Sequence, residues 1–240
     1  MKTLTAFVFL MSFVEAQLYA QENKRIEPYF NFTVAADYQF DLNDNGMIAV
    51  SSYAKPLGFL GNFDFGIELN RTTFFASVFL KSHPANSLDQ YQAESDYSTI
   101  INEFSAGNFQ SSGFLFGAMY QLNPPERPIP VFGLYAQIGI SRTVLPDMLI
   151  DLTQEFILDN STYRYTYYRT AGTGAIFNFG LNCKIFKTST LAGNLKTGLL
   201  HEQTSFPITF LFEDDQHAEF HSDNFKWQSF SGYAGFSLSF

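Results

Sequence analysis

The sequence predicts an all-β protein, an eight-stranded antiparallel barrel that spans a membrane. Three observations lead to this prediction. Segments of about ten residues alternate strictly between apolar side chains and small or polar ones, which is the period of a β-strand with two different faces. The connections between these segments are long and short in turn. The carboxy-terminal residues 225–240 keep the same alternation up to a terminal phenylalanine.

The composition agrees with a membrane protein that crosses the bilayer as strands. Aromatic residues make up 18% of the chain and charged residues only 15%, whereas soluble domains are typically about 25% charged. No apolar run of about 18 residues, the length that a transmembrane helix needs, follows the amino-terminal segment. The formal net charge of -9 disfavours nucleic acid as a partner. A single cysteine, Cys183, excludes an intrachain disulfide.

Residues 1–20 have the layout of a secretory signal peptide. Lys2 precedes an apolar core that runs from Leu4 to Val14, and small residues follow at Ala16 and Ala20. Cleavage after Ala16 and cleavage after Ala20 are equally arguable. We therefore expect an exported protein whose residues 21–240 form the barrel domain.

The first strands are read from the amino-terminal side. Residues 30–40 form a nearly unbroken alternation, which the turn-forming residues 41–46 interrupt. The next alternation, at 62–69, is followed by another that starts at residue 74. Because only residues 70–72 link them, these two strands are predicted to form an antiparallel hairpin.

The rest of the chain follows the same rule. The prolines within residues 123–128 cannot donate to a β-ladder, so that segment is predicted to be a turn. Residues 187–190 form a second short turn. The remaining five predicted strands are 113–122, 132–141, 174–185, 191–199 and 225–240.

The long connections are predicted to face outward and the short turns to face the periplasm, as does each terminus. Most of the 23 acidic residues fall in these outer loops, with only three bases, Lys55, Arg164 and Arg169. Strands of about ten residues, tilted by about 40°, span the ~25 Å apolar band of an outer membrane. The predicted outer loops are residues 41–58, 83–111, 143–172 and 202–225.

Six ionisable residues lie on the small and polar faces of the strands, which we expect to line the lumen: Asp37, Asp64, Glu68, Lys81, Lys184 and Lys196. Their positions along the barrel axis predict an ion pair of Asp37 with Lys81 near the outer end. The same reasoning pairs Asp64 with Lys196 midway, and Glu68 with Lys184 near the periplasmic end. Because buried charges need partners and an eight-stranded barrel is narrow enough to be filled by side chains, we expect a polar network that plugs the lumen.

The chain resembles the small outer-membrane barrels of Gram-negative bacteria, such as outer membrane protein X and the transmembrane domain of outer membrane protein A. The resemblance is carried by the alternation from Phe30 to Phe240 and by Phe236, Leu238 and Phe240, which look like the family's assembly signal. It implies an outer-membrane location, insertion by the barrel-assembly machinery, and contact with outer-membrane lipid and lipopolysaccharide. We expect a monomer.

Two of the long connections keep their alternation. Tyr163, Tyr165 and Tyr167 form one run, and Phe206 and Phe210 belong to another. We expect these hairpins to project beyond the membrane as sheet. An exposed aromatic edge of this kind is a candidate site for an extracellular protein or surface ligand that binds by strand addition.

The leading functional hypothesis is a non-enzymatic outer-membrane barrel that serves envelope integrity or adhesion. The alternatives are a narrow pore for small solutes or ions, a lipid-modifying enzyme that uses His221 and Ser222, and a secreted lipocalin-like binding barrel. The enzyme is disfavoured because adjacent residues of a strand point to opposite faces. We predict no catalytic residue, no metal site and no cofactor.

Overall fold

The structure is a computed structural model, and it describes residues 26–44, 56–85, 99–123, 129–155, 160–188 and 190–240. The predicted signal peptide at 1–20 lies outside the described residues. The strands are β1 (Ile26–Asp44), β2 (Leu57–Leu69), β3 (Thr72–His83), β4 (Thr99–Ala106), β5 (Phe109–Gln121), β6 (Val131–Leu145), β7 (Met148–Glu155), β8 (Asn160–Tyr167), β9 (Thr170–Lys187), β10 (Ala192–Glu213) and β11 (Ala218–Ser239).

Eight of these strands form a closed antiparallel barrel, which confirms the predicted fold class. The barrel follows the order β1, β2, β3, β5, β6, β9, β10 and β11. The last strand closes it, because β11 pairs with β10 on one side and with β1 on the other. The closing seam includes the backbone hydrogen bond from Phe240 N to Phe30 O, at 3.0 Å. Closure leaves none of the eight strands with an unpaired edge along the barrel wall.

The alternation of side chains sets the two faces of the wall. Apolar side chains point outward and are exposed, as in Phe116 (64% exposed) and Ile140 (67% exposed). Small and polar side chains point inward, and Asp64 is fully buried there. A lipocalin-like barrel has the opposite arrangement, with its apolar face inside. That alternative is therefore wrong.

The turn between β2 and β3 is shorter than predicted. Leu69 pairs directly with Thr72, so the connection is the two residues Asn70 and Arg71 rather than 70–72. Asn70 has a φ of 55°, in the left-handed region that a tight hairpin turn requires and that asparagine tolerates better than most residues.

Three barrel strands continue outward after short interruptions. β4 lies in line with β5 across residues 107–108, β7 with β6 across 146–147, and β8 with β9 across 168–169. These extensions pair with one another, and β8 pairs with the outer part of β10. β10 and β11 are each 22 residues long, and the turn 214–217 joins them at the outer tip. Much of the predicted outer loops 83–111, 143–172 and 202–225 is therefore a sheet, which we call the extracellular extension: β4, β7, β8 and the outer halves of β10 and β11.

These features place the protein in the outer membrane. A closed barrel satisfies its backbone hydrogen bonds internally, as hydrocarbon requires, and its outward face is apolar. Short turns lie at one end and the long extension at the other, which is the polarity of an outer-membrane barrel with its turns in the periplasm. Separately, no helix among the described residues is long and apolar enough to cross a membrane.

Candidate functional site

The centre of the lumen is organised around Asp64. Its Oδ1 accepts hydrogen bonds from Asn62 Nδ2 and Ser77 Oγ, each at 2.6 Å. Its Oδ2 accepts from Asn31 Nδ2 at 2.8 Å and from Lys196 Nζ at 2.9 Å. Each carboxylate oxygen therefore has two donors, one of which is a buried ammonium. The predicted pair of Asp64 and Lys196 is therefore present.

From Asp64 a chain of hydrogen bonds crosses the barrel. Ser77 accepts from Gln137 Nε2 at 2.6 Å, and Gln137 Oε1 accepts from Asn178 Nδ2 at 2.7 Å. Asn178 Oδ1 accepts from the hydroxyl of Tyr233 at 3.0 Å, and that hydroxyl bonds the hydroxyl of Tyr135. We call this set the polar belt: Asn31, Asn62, Asp64, Ser77, Tyr135, Gln137, Asn178, Lys196 and Tyr233. It joins facing walls of the barrel at one level.

Two glycines make room for the tyrosines of the belt. Gly180 and Gly198 pair across β9 and β10, between Tyr135 on β6 and Tyr233 on β11. A methyl group on either glycine would collide with the hydroxyl of Tyr135. Because both side chains are absent, the rings lie over the backbone and their hydroxyls meet. The single hydroxyl proton of Tyr135 is shared between Tyr233 and the carbonyl of Thr197, which lies 2.9 Å away.

A second polar cluster lies between the belt and the outer mouth. Asp37 Oδ2 is 2.8 Å from His83 Nε2 and 3.3 Å from Lys81 Nζ. On the other side of a small cavity of about 20 Å³, Glu202 Oε1 accepts from Ser111 at 2.5 Å and from Thr143 at 2.6 Å. Such a cavity has room for about one water molecule. The predicted pair Asp37–Lys81 is present, whereas Glu202 was assigned to an outer loop and is in fact buried inside the barrel.

An apolar cap covers this outer cluster. Phe109 and Trp227 stack above it with ring centroids 6.0 Å apart. They belong to a buried cluster on the inner side of the extracellular extension: Ile101, Phe109, Leu145, Met148, Ile150, Leu152, Tyr167, Ile208, Phe210 and Trp227. The lumen below is not purely polar either, because Leu60, Phe79 and Leu115 are buried among its polar groups. Neither apolar set is predicted from the sequence.

The cap corrects the predicted aromatic binding edge. Tyr167 and Phe210 are only 6% and 8% exposed, and their ring centroids are 5.1 Å apart. Tyr163 and Tyr165 are half-buried and pack against the same cluster. The curvature of the extension turns these side chains toward its own interior, so they form a core rather than an exposed edge. Phe206 lies in β10 opposite Phe225, and its side chain lies outside the described part of the structure.

The exposed aromatic pair of the extension is a different one. Tyr168 and Phe220 stack with centroids 6.2 Å apart, and Phe220 is 70% exposed. Acidic residues stand on the same hairpin, at Asp214, Asp215 and Glu219. The backbone N–H groups of Gln216 and His217 donate to Asp214 Oδ1, and these bonds hold the pKa of that carboxyl below its ordinary value.

The predicted pair at the periplasmic end does not form. Glu68 accepts a hydrogen bond from Gln121 Nε2 at 2.9 Å. The side chain of Lys184, on the facing strand β9, makes no ion pair or hydrogen bond within the described residues, and the two side chains line one cavity. Only the belt and the outer cluster are therefore closed by charge pairs.

The remaining predicted positions lie at the surface. Phe236 in β11 and Phe240, which follows the strand, are exposed, and Leu238 between them is half-buried. His221 stacks on Phe210 at 5.2 Å and lies 3.8 Å from Glu219 Oε2. It is not oriented by a buried carboxylate as the base of a hydrolytic triad would be. The described residues contain no group of three or more His, Cys, Asp or Glu side chains that could hold a metal ion.

The chain was compared with known families, curated proteins and solved structures. No protein-family model and no curated protein sequence matches the chain. Among solved structures it is similar to the outer membrane protease OmpT from Escherichia coli, with 7% identity and a TM-score of 0.41 over 91% of this chain and 99% of that one. Neisserial surface protein A gives 13% identity and a TM-score of 0.36 over 90% of this chain and 97% of that one.

A third similar structure is Ail, the attachment invasion locus protein of Yersinia pestis. It shares 10% identity with a TM-score of 0.38, over 88% of this chain and 97% of that one. All three TM-scores are below 0.5, so these structures add nothing on function. The assignment as a membrane barrel rests on the strand pairing and the exposed apolar wall of this chain.

Proposed function

We propose that this integral outer-membrane barrel is a non-enzymatic surface protein that presents its extracellular extension to a partner and conducts no solutes. The observation that favours this role is the contrast between the lumen, which side chains close, and the strands, which extend beyond the membrane. The polar belt and the apolar cap close the lumen at two levels, whereas five strands continue beyond the membrane as a sheet. The parts of these strands that lie beyond the bilayer are not needed to span it, so they are available for contact with a partner.

The surface of the extension favours a partner with basic and apolar groups. Phe220 and Tyr168 offer exposed rings, which are enriched in protein interfaces. Asp214, Asp215 and Glu219 add negative charge around them, which would steer a positively charged surface toward the hairpin tip. Adhesion to a cell or matrix surface is the use that fits this combination best.

Adhesion is tested with the full-length protein on the surface of a host bacterium. The double variant Tyr168→Ser, Phe220→Ser removes the exposed rings without touching the buried cap. We expect binding to cultured cells and to immobilised matrix proteins to fall about tenfold or more, as for interface residues that dominate binding. Ser222→Ala is the matched control, because Ser222 is exposed on the same hairpin. Unchanged binding by the double variant would contradict the proposal.

Two further measurements separate the alternatives. In planar bilayers we expect the purified barrel to give no conductance above the empty membrane, and regular conductance steps would favour the narrow pore instead. Lipid profiling of cells that carry the protein, compared with cells that carry Ser222→Ala or His221→Ala, should show no change in lipid A or phospholipid. A product lost in both variants would establish the lipid-modifying enzyme. Detergent sensitivity of a deletion strain would report on envelope integrity.

A further inference from the structure

The periplasmic mouth of the barrel contains a cavity that no pair of charges closes. Its volume is about 480 Å³, within the range of about 300–1,000 Å³ typical of small-molecule sites. The buried side chains of Tyr29 and Met119 line its inner end, below the polar belt. Asn182 and Asn194 are buried on its wall, where they contact each other at 3.4 Å. We call this space the periplasmic vestibule.

Two acids lie on one side of the vestibule. Glu27 on β1 is the direct cross-strand partner of Glu68 on β2, and both belong to the lining. Like charges that face each other directly across two strands repel. No lysine or arginine forms a salt bridge with either carboxylate within the described part of the chain. The pair therefore provides a place for a cation from outside the barrel wall.

Two bases lie on the other side. Lys184 and Lys187 belong to β9, and β9 stands across the barrel from β2 in the strand order. Lys184 interacts electrostatically with Glu68, Glu27 and Lys187, but it has no hydrogen-bonding partner among the described residues. A half-buried ammonium without a hydrogen-bonding partner favours an anion. The second lysine adds charge of the same sign at the rim.

We propose that the periplasmic vestibule binds a zwitterionic group that carries a phosphate and an ammonium, of the phosphoethanolamine type. The phosphate would contact Lys184 and Lys187, and the ammonium would lie between Glu27 and Glu68. A simple anion would leave the two acids facing each other, and a simple cation would leave Lys184 unpaired. Only a ligand with both charges matches both walls.

The source of this group is either a phospholipid or a free solute. Phe30 and Phe240 line the vestibule and are also exposed toward the membrane, so acyl chains outside the rim are compatible with a headgroup inside it. Free phosphoethanolamine has the same charged atoms without the chains. The two sources differ in whether binding depends on an acyl part.

The test is a titration of the full-length protein in detergent, read by native mass spectrometry. The probes are short-chain phosphatidylethanolamine, short-chain phosphatidylglycerol, which lacks the ammonium, and free phosphoethanolamine. We expect the ethanolamine lipid to bind about tenfold more tightly than the glycerol lipid, because its ammonium adds a charge-assisted hydrogen bond that the glycerol headgroup cannot make. Binding of the free solute as tight as that of the lipid would assign the site to the soluble form of the same group.

Variants assign the two walls. Glu68→Gln should remove most of the preference for ethanolamine over glycerol, whereas Lys184→Gln should weaken both lipids about tenfold. Lys187→Gln changes only an exposed side chain at the rim, so it reports on the site even where a lumen variant folds poorly. Lys226→Gln, exposed on the outer part of β11, is the matched control and should bind as the unchanged protein does. Equal binding of the two lipids, or binding that none of the three vestibule variants alters, would overturn the proposal.

Discussion

The lumen contains two lysine–carboxylate combinations, Asp64 with Lys196 and Glu68 with Lys184, of which only the first forms an ion pair in the structure. The sequence predicts an ion pair for both. Asp64 and Lys196 meet at 2.9 Å, and three further donors saturate the carboxylate. Glu68 and Lys184 stay apart on facing strands, with a cavity between them. Both combinations consist of one acid and one lysine on inward-pointing positions. The difference lies in what surrounds them.

At the level of Asp64 the side chains are long and polar and reach each other across the barrel. Lys196 is also placed over the ring of Tyr135, 4.9 Å from its centroid, which adds a favourable contact for the ammonium. At the level of Glu68, Asn182 and Asn194 contact each other at 3.4 Å rather than Glu68 or Lys184, and the space between the walls stays open. The comparison shows that a closed charge pair in this barrel needs polar neighbours that fill the cross-section.

The largest expected effect is from Lys196→Met, which leaves the buried Asp64 without its ammonium. Breaking one partner of a buried ion pair costs about 3–5 kcal/mol. We expect a loss of this size in the free energy of unfolding, measured by urea titration in lipid vesicles with the fluorescence of Trp227, the only tryptophan. Lys184→Met is the matched control and should change stability by about 0.5 kcal/mol or less. Equal losses in the two variants would abolish the distinction between the pairs.

A smaller loss in the free energy of unfolding is expected when an added group crowds the belt than when its ion pair is broken. Gly198→Ala places a methyl group against the hydroxyl of Tyr135, and overpacking of this kind costs about 1–3 kcal/mol. Gly61→Ala, on the outward face of β2, is the control, because its added carbon would approach nothing closer than a ring atom of Phe59 at 3.4 Å. We expect that variant to be neutral or slightly stabilising in the same titration. A neutral Gly198→Ala would mean that Tyr135 does not occupy this position.

Removal of one hydroxyl from the belt should cost less again. Tyr135→Phe deletes the hydrogen bonds to Tyr233 and to the carbonyl of Thr197 while it keeps the ring over Lys196. A hydrogen bond contributes about 1 kcal/mol to stability on average, and we expect a loss of about 1–2 kcal/mol. Tyr120→Phe, on the exposed outer face of β5, provides the comparison and should change stability by about 0.5 kcal/mol or less.

The smallest effect is at the hairpin tip, outside the membrane. The backbone N–H groups of Gln216 and His217 lower the pKa of Asp214. This carboxyl is therefore more acidic in the folded hairpin than in an unfolded chain, so its contribution to stability is present above the ordinary value of about 3.9 and is lost as the pH falls through the lowered one. The amide signals of Gln216 and His217 should shift with an inflection below about pH 3.9. Asp214→Ala should remove that inflection.

Much of the barrel could be predicted because strand period and short turns fix both face and height. The alternation around Asp64 indicates that it points inward, whereas its pairing with Ser77 depends on the two-residue turn 70–71, which is one residue shorter than predicted. Position along the barrel axis is enough to predict the ion pair of Asp37 with Lys81, because their strands are separated only by β2. It is not enough for Glu68 with Lys184, because their strands face each other across the full width of the barrel.

The outer half was harder to predict for a related reason. Residues beyond 202 alternate in the same way inside the barrel and above it, so the sequence does not indicate where the membrane ends, and buried Glu202 was placed in a loop. The alternation of Tyr163, Tyr165 and Tyr167 predicted a strand. Which face of that strand is covered depends on how the five strands of the extension curve, and this curvature is a property of their joint packing.

The most direct test of the contrast between the belt and the vestibule is the reactivity of the lysines in the folded protein. A water-soluble amine-acylating reagent would be applied to the native barrel in detergent, and modified lysines would be identified by mass spectrometry against a boiled sample. We predict that Lys184 is modified in the native protein, while Lys196 and Lys81 are modified only after boiling. Modification of Lys196 as fast as Lys184 would contradict a sealed belt, and protection of Lys184 equal to that of Lys196 would contradict an open vestibule.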